Sequence, residues 1–211
     1  MKFIEKKLSN QPPSLVLYKK TDIHPTYDKY RDKDDLRHAL LREQGYICCY
    51  CMKRIDKHSM VIEHFNAQFN FEELALNYDN MLASCKGGEN GNIQHCDETK
   101  GHKLLTINPM NHSIMTQIKF DGAGKIFLDD ENLTKNELEG ILNLNNQNLL
   151  KERKVILDAL RNQFLKKLGT KTATKQFIEN ALNKWGTRNG KFKPMCQIAV
   201  YYLKKKLQKT A

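Results

Sequence analysis

Short apolar runs, each bounded by polar residues, mark the first half of this 211-residue chain. In the segment DDLRHALLREQ the apolar residues recur at helical spacing, which predicts a helix with Asp34 or Asp35 as the N-cap and Gly45 at its end. The run MVIEHF (60–65) is short and partly β-branched, which predicts a strand. Apolar residues on both sides of the glycines in QIKFDGAGKIFL (117–128) predict a β-hairpin.

Two other segments of this half have weaker local patterns. Residues 1–33 predict an irregular lead, because a Pro pair precedes one short apolar run that we expect to form an edge strand. Residues 71–85, FEELALNYDNMLASC, predict a helical turn that leads into a loop.

The second half of the chain has helical periodicity instead. One apolar stripe predicts a long helix that Gly169 ends; its members are Leu150, Leu157, Leu160, Phe164 and Leu168. The segment TKQFIENALNKW predicts a second helix, which Gly186 stops. Pro194 opens a third helix, because proline is well tolerated in a helix's first turn.

Positive charge is concentrated in this helical region. The chain has a formal net charge of +11, and residues 151–211 contain 16 Lys and Arg against 3 Asp and Glu. Residues 1–150 contain 19 basic and 21 acidic residues, so their balance is −2. Such an imbalance is compatible with a solvated helix face, and it also fits attraction to a polyanion such as nucleic acid.

The patterns divide the sequence into a lead segment (1–33), a central segment (34–110), and a β-hairpin followed by a basic helical tail (111–211). No apolar run approaches the length of a membrane span, and the basic N-terminus lacks the apolar core of a secretory signal. We therefore expect a cytoplasmic protein without membrane association, in which thiols stay reduced. The motif GGENGN lacks the Lys-Ser/Thr of a phosphate-binding loop, so ATP binding is not predicted.

Four of the six cysteines form two pairs, which is the first chemical signal. Cys48 and Cys51 have the spacing of either a metal-binding knuckle or a redox motif, but a redox motif needs no second pair. Cys85 and Cys96 are such a second pair. Four thiolates from two short loops are what tetrahedral Zn²⁺ requires, and a closed four-cysteine site is structural.

The other two cysteines, Cys49 and Cys196, fall outside these pairs. Cys49 in place of Cys48 stays open as an alternative ligand, although Cys-x-Cys is the poorer knuckle. Cys196 lies in the apolar part of a predicted helix. We expect both to be ordinary small buried residues.

Between the cysteine pairs, Glu63 and His64 are neighbours on the predicted strand, where adjacent side chains point to opposite faces. Alone they are compatible with a surface ion pair or with a buried, hydrogen-bonded histidine. The whole series resembles the HNH endonuclease family over about residues 45–103: Cys48-x-x-Cys51, Glu63-His64, Asn80, Cys85, Cys96-Asp97 and Lys100. The resemblance implies an α+β protein with a zinc-braced ββα-metal (HNH) core and a mainly α-helical C-terminal region.

The resemblance also implies a role for each matching residue. His64 corresponds to the general base that activates water, and Asn80 to the residue that holds the metal loop by hydrogen bonds. Glu63 and Asp97 occupy the positions of the catalytic metal ligands, where their oxygens suit Mg²⁺ or Mn²⁺. Two nearby histidines are alternatives to Asp97 as the second ligand; they are His95 and His102.

Elementary chemistry supports the same residues. Hydrolysis of a phosphodiester needs a base near neutral pH and a cation on the phosphate, and one histidine with two carboxylates supplies both. Four thiolates would close the coordination sphere of Zn²⁺, so the catalytic cation is a different one. We expect the nucleic acid, DNA or RNA, to contact Lys100, Lys204, Lys205 and Lys206.

A narrower resemblance covers the full length. The blocks MKFIEKK, PPSLVLY, CCYC, IEHF, HCDETKG and ILNLN, before a helical tail, are similar to PtuB-type HNH proteins of Septu and retron-associated anti-phage systems. That resemblance implies a nuclease that works with a PtuA-type ABC ATPase. Two alternatives stay open: a non-catalytic zinc module that binds nucleic acid through its basic tail, and a redox protein that uses Cys48 and Cys51.

Overall fold

The computed structural model describes residues 1–88, 93–168 and 174–209 of the chain. The helices in this part are α1 (Pro13–Thr21), α2 (Lys33–Gln44), α3 (Asp97–Lys100), α4 (His112–Gln117), α5 (Glu131–Leu133), α6 (Gln147–Leu168), α7 (Lys175–Gly186) and α8 (Cys196–Gln208), and a π-helical segment (Thr134–Ile141) continues α5. The strands are β1 (Met60–His64), β2 (Met81–Cys85), β3 (Lys119–Phe120) and β4 (Ile126–Phe127). This mixture of helices and small antiparallel sheets confirms the expected α+β class.

Strands β1 and β2 form an antiparallel pair in which Met60 lies opposite Cys85 and His64 lies opposite Met81. The prediction of β1 from MVIEHF is confirmed. The segment 71–85 contains the expected helical turns, at Glu72–Leu74 and Tyr78–Asn80, but it ends in the strand β2 rather than in a loop. The first four residues of β2 are all buried, so both faces of the strand are covered and its sequence lacks the alternation of a half-buried strand. The predicted hairpin is also confirmed, as β3 and β4.

The apolar run after the Pro pair forms α1, so the expected edge strand is wrong. Pro13 occupies the first helical position, where its fixed φ suits a helix. An N–H at this position has no partner within the helix, so its absence in proline costs no hydrogen bond. Leu15 is fully buried, whereas Leu17 is 62% exposed, so only one side of the helix packs on the core. Three consecutive apolar residues do not distinguish a strand from such a short helix.

The predicted helix before the cysteines is confirmed as α2. Asp32 holds the N-cap position, so Asp34 and Asp35 lie in the first turn instead, where their negative charge favours the helix dipole. Gly45 ends the helix with a φ of 64°, and a Cβ at this position would lie 2.5 Å from the ring of Phe192. The end of α2 therefore requires glycine for both its conformation and its space.

The next two predicted helices are confirmed as α6 and α7. In α6 the middle of the apolar stripe is buried, with Leu157 and Leu160 each 2% exposed and Phe164 6% exposed. Gly169, expected to end this helix, lies outside the described residues. Helix α7 ends at Gly186, as its sequence predicts.

The last helix, α8, begins later than expected. Pro194 lies two residues before it, because Met195 has a φ of 50° and helical geometry starts only at Cys196. Helix α8 packs on α6 and α7, and its Leu203 joins Phe164 and Ile178 in a small apolar cluster. None of the described helices combines the length and the apolar composition needed to cross a bilayer.

One hydrophobic core joins residues from all three parts of the sequence. It includes Met1 and Leu15 from the lead, Leu82 from the central segment, and Leu144 and Ile198 from the tail. Helix α2 packs against both β1 and β2. The β1–β2 pair, which holds the candidate functional residues, therefore rests on a continuous packed interior.

Candidate active site and metal centre

The four cysteines of the two pairs meet in one cluster. Cys48 and Cys51 lie in the turn after α2, Cys85 ends β2, and Cys96 immediately precedes α3. The sulfur atoms all lie within 4.8 Å of one another, with 3.9 Å between Cys48 and Cys96 and 3.6 Å between Cys51 and Cys85. A tetrahedral site with Zn–S bonds of about 2.3 Å has sulfur–sulfur distances of roughly 3.8 Å. The cluster could therefore hold a metal ion such as zinc.

The backbone around the first pair forms a tight turn. The N–H of Cys48 donates to the carbonyl of Lys53 at 2.9 Å, and the N–H of Met52 donates to the carbonyl of Cys48 at 3.1 Å. Burial opposes ionisation of Cys48, but hydrogen bonds from the surrounding thiols hold the pKa of Cys48 well below its usual value. Cys48 therefore favours the thiolate, which is the form that binds metal, while the hydrogen bonds that its sulfur accepts raise the pKa of Cys85, and burial together with the same bonds raises that of Cys96.

Three other side chains lie near the cluster or in the core beside it. Cys49 and Cys196 are buried, as expected, and neither belongs to the cluster. The Nδ1 atom of His95 lies 3.1 Å from the sulfur of Cys96 and 3.8 Å from that of Cys85. The ring of His95 therefore faces the cysteine sulfurs. This orientation does not favour His95 as the alternative to Asp97 in the second ligand position of the catalytic metal.

Glu63 is buried near the end of β1 and has three polar neighbours. Its Oε1 atom lies 2.7 Å from Nζ of Lys100 and accepts a hydrogen bond from the hydroxyl of Tyr50 at 2.9 Å. The third neighbour is Asp97, the first residue of α3. Burial and the hydrogen bond with Asp97 raise the pKa of Glu63 to about 8, although Lys100 acts in the opposite direction. A further cation beside Glu63 would lower this pKa and stabilise the carboxylate.

Lys100 is enclosed by protein, with its side chain only 1% exposed. Its Nζ atom donates to the carbonyl of His64 at 3.1 Å in addition to its ion pair with Glu63. This burial does not fit the expected contact of Lys100 with nucleic acid, because the last residue of the short helix α3 points inward. The ammonium instead offsets the charge of Glu63 and ties α3 to the end of β1.

His64 is buried at the end of β1 and contacts a different set of residues. Its Nε2 atom lies 2.9 Å from the carbonyl oxygen of Ala75. The Ala75 carbonyl can only accept, which assigns the ring proton to Nε2 and the lone pair to Nδ1; the side-chain amide of Gln68, 3.2 Å from the same Nε2, then turns its oxygen toward that N–H. Tyr27 packs edge-on at 4.6 Å between ring centroids. Burial outweighs the bond to Ala75 and lowers the pKa of His64 to about 4, so the ring is neutral near pH 7.

Asn80 holds the loop that faces His64. Its Oδ1 atom accepts from the N–H of Asn66 at 2.8 Å, and its Nδ2 atom donates to the carbonyls of Asn66 and Leu74 at 2.9 and 3.3 Å. These bonds fix both ends of the segment 66–75, which presents the carbonyl of Ala75 to the histidine. The amide therefore positions the segment 66–75.

The remaining predicted residues lie at the surface. His102 is exposed, and its ring stacks on that of Phe69 with 4.8 Å between centroids. Lys204 and Lys205 are exposed on α8, whereas Lys206 is half-buried with its ammonium near aromatic rings of α6 and α8. The structure therefore brings together the residues on β1 and α3 and leaves the tail lysines on a separate helix.

Three side chains that contact the candidate site were missed from the sequence. Tyr50 bonds Glu63, Tyr27 packs on His64, and the side-chain amide of Gln68 lies 3.2 Å from Nε2 of the same histidine. Tyr50 had a weak signal, since it lies inside the Cys-x-x-Cys turn. The other two lie in segments without a recognisable motif.

The Glu63 cluster offers two carboxyl groups rather than a full set of metal ligands. Within the described ranges, only the four cysteines form a group of three or more side chains able to share one metal ion. Glu63 and Asp97 offer two carboxylates, and Mg²⁺ is commonly held by one or two carboxylates together with water and substrate phosphates. The pair fits a cation of that kind.

Comparison with known proteins gives one informative similarity. The chain is 33% identical over 100 residues to a Vibrio cholerae serotype O1 biovar El Tor protein named "Retron Vc95 putative HNH endonuclease". The aligned region covers 44% of this chain and 47% of that protein, so the chain matches about half the length of this relative. The similarity supports a relationship to the HNH endonuclease family. No family model matches the chain.

Proposed function

We propose that this protein is a metal-dependent HNH endonuclease that hydrolyses phosphodiester bonds in nucleic acid. The observation that supports this most directly is the polar cluster at the end of β1, where the buried Glu63 lies beside Asp97 and Lys100 and the next residue of the strand is the buried, neutral His64. In this proposal the antiparallel β1 and β2 and the short α3 that follows them would form the ββα-metal core of that family. The similarity to a named HNH endonuclease agrees with this assignment.

In the proposed reaction His64 acts as the general base. Its Nε2 proton is held by the carbonyl of Ala75, so Nδ1 accepts the proton of a water molecule that attacks phosphorus. Asn80 keeps the segment with Ala75 in place, and the orientation of the imidazole therefore depends on it. Lys100 adds a fixed positive charge beside the carboxylates without contacting the substrate.

Glu63 and Asp97 would hold Mg²⁺ or Mn²⁺. When bound, such an ion stabilises the negative charge that develops on the phosphate oxygens. The raised pKa of Glu63 agrees with this role, because it marks a carboxyl group that Lys100 alone does not fully stabilise as an anion. The four cysteines would hold Zn²⁺ in a closed, purely structural site, which would fix α3 and hence Asp97 relative to β2.

The basic tail would bind the nucleic acid outside the catalytic centre. A groove of about 620 Å³ between α6, α8 and the β3–β4 hairpin brings cations and aromatic rings together; among its lining residues are Arg161, Tyr201, Tyr202, Lys205, Lys206 and Lys209. Phosphates and bases are recognised by such combinations. Lys204 lies on the same helix, and the net charge of residues 151–211 gives the whole region the sign that attracts a polyanion.

We further propose that the nuclease acts in anti-phage defence together with a PtuA-type ABC ATPase, as in PtuB-type systems. The support for this is the sequence resemblance and the retron in the name of the relative. Apolar side chains of the tail helices that are not part of the core would then contact the ATPase.

One experiment tests the nuclease proposal directly. The purified protein, alone and with the neighbouring ATPase, is incubated with DNA and with total RNA in Mg²⁺ or Mn²⁺. His64→Ala should lower cleavage by roughly 10²- to 10⁴-fold, as expected for loss of a general base. His58→Ala, at an exposed histidine of the same segment, is the matched control and should cut like the parent. A His64→Ala protein with parental activity would place the base elsewhere, with His95 the next residue to replace.

The alternative is a non-catalytic zinc-containing module that binds nucleic acid. One observation favours it: Lys100 already pairs with Glu63 at 2.7 Å, so this carboxyl group has a cation of its own. In that case neither carboxylate would respond to added metal. Glu63→Ala and Asp97→Ala should weaken the response to Mg²⁺ or Mn²⁺ if the nuclease proposal is correct, and should change nothing but stability if the alternative is.

A further inference from the structure

Phe69 is a large apolar side chain that the fold leaves 80% exposed but holds in place. Its ring stacks on that of His102, with 4.8 Å between the centroids and 27° between the planes. The side-chain amide of Asn70 donates to the carbonyl of His102 at 2.8 Å, which ties the two segments together. One face of the Phe69 ring is therefore supported by protein while most of the side chain meets solvent.

The Phe69–His102 pair adjoins the segment that contacts the proposed base. Gln68, the residue before Phe69, contacts the ring of His64. Phe69 and Gln68 also line a cleft of about 380 Å³, whose lining includes the Ala75 that bonds His64. The cleft thus begins at the residues that orient the catalytic imidazole.

The lining of this cleft selects against a phosphate. Asp28, Glu72 and Glu73 contribute three exposed carboxyl groups, and the aromatic rings of Tyr27 and Phe69 supply the apolar surface. Carboxylates repel the sugar–phosphate backbone, but they accept hydrogen bonds from amino and imino groups on the edges of bases. An aromatic ring can stack on the face of any base, so this contact does not depend on the nucleotide sequence.

We propose that this cleft binds an unpaired nucleobase with an exocyclic amino group (guanine, adenine or cytosine) next to the scissile phosphate. The base stacks on Phe69, and the carboxylates accept from its Watson–Crick edge. That edge is occupied in a duplex, so the preferred substrate is a single strand or a loop. This inference rests on the proposed nuclease function, and it assigns that function a substrate class.

Equilibrium binding without added Mg²⁺ or Mn²⁺ tests the cleft separately from catalysis. The substrates are short oligonucleotides with a single 2-aminopurine, whose fluorescence is quenched when it stacks. Phe69→Ala should weaken binding by roughly 5- to 150-fold, the range for loss of one stacked base, and should abolish the quenching. Phe69→Trp should restore both. Val155→Ala, at another exposed apolar residue, is the control and should change neither.

Base composition tests the role of the carboxyl groups. Glu72→Gln and Glu73→Gln together should weaken the binding of oligonucleotides with guanine, adenine or cytosine. The binding of oligonucleotides with uracil or thymine should stay at the parental level or rise, so the preference for amino-bearing bases becomes smaller. Phe69, Glu72 and Glu73 are exposed, so the variants should have the zinc content and the thermal midpoint of the parent. These two measurements show whether a loss of binding comes from unfolding.

The outcomes separate this inference from the proposed function. A parent protein that cleaves nucleic acid, with a Phe69→Ala variant that binds and quenches like the parent, would overturn the nucleobase site and leave the nuclease proposal intact. Unchanged nucleic-acid binding together with lost co-purification of a protein partner would also overturn it, since Phe69 would then belong to a protein interface. Absence of any cleavage by the parent, even with its ATPase, would count against the nuclease proposal instead.

Discussion

The two polar clusters at opposite ends of the β1–β2 pair are stabilised in different ways. At one end, beside Cys85, four thiols converge to within 4.8 Å. At the other end Glu63 is paired with Lys100 at 2.7 Å and bonded by Tyr50. The cysteine cluster thus gathers ligands for an ion from outside the chain, whereas the Glu63 cluster contains its own cation.

This difference predicts that folding requires the metal ion of the cysteine cluster and that the proposed activity requires a second ion at Glu63. A four-thiolate site contributes its metal-binding free energy to folding, because the unfolded chain does not hold the ligands together. Glu63 is paired with Lys100 and, with its pKa raised to about 8, is mostly protonated near pH 7 when no further cation is present, so the fold does not depend on a catalytic ion there. Removal of Mg²⁺ or Mn²⁺ should leave the structure unchanged, and removal of zinc should not.

The largest effect is expected at the cysteines. Replacing Cys48, Cys51, Cys85 or Cys96 by serine should abolish zinc binding and cooperative folding, since a structural zinc site contributes on the order of 10 kcal/mol, similar to the whole stability of a domain. Elemental analysis should find about one zinc per chain in the parent, and thermal unfolding measures the loss. Cys49→Ser and Cys196→Ser are the controls and should be much milder. Folded, freshly purified parent protein without zinc would contradict this prediction.

A smaller loss of stability is expected when the internal ion pair is broken. Above pH 8, where the Glu63 carboxyl is ionised in the parent, Lys100→Met leaves this buried group without its cation and should lower the free energy of unfolding by up to about 3–5 kcal/mol, with zinc content unchanged and a smaller loss at lower pH. Adding Glu63→Gln should recover much of that loss, because the uncompensated charge is then gone. Urea unfolding of both variants measures the difference. If Lys100→Met alone leaves the midpoint where it was, the Glu63 carboxyl is protonated in the folded protein and the ion pair contributes little.

The smallest effect on the fold, and the clearest on binding, is expected on α8. Neutralising Lys204, Lys205 and Lys206 to glutamine should weaken nucleic-acid binding and reduce the slope of log K against log salt by up to about three, one for each lost phosphate contact. Zinc content should not change. Replacing Leu157 or Phe164 with alanine should instead lower stability, because both are buried.

Unchanged binding and salt slope in the triple lysine variant, with loss of co-purification of the ATPase, would assign this part of α8 to the protein partner. In that case nucleic acid would be bound by the central segment, which contains both polar clusters, and not by α8.

Local patterns in the sequence determined much of this protein. The spacing of the two cysteine pairs predicted the cluster, and a short β-branched run placed Glu63 and His64 together on β1. Helical periodicity predicted α2, α6 and α7 because one-sided burial repeats every three to four residues. These features depend on residues near one another in the chain, which is why a pattern reveals them.

Only the tertiary structure decided how the distant parts meet. Lys100 was expected at the surface, but α3 turns it toward Glu63, 37 positions earlier in the chain, where it is buried. Strand β2 was missed because burial on both faces removes alternation, and Phe69 became a candidate stacking surface only when His102 was placed beneath it. The direction of a side chain relative to a segment far away in sequence depends on packing of the whole chain, and no local pattern contains that information.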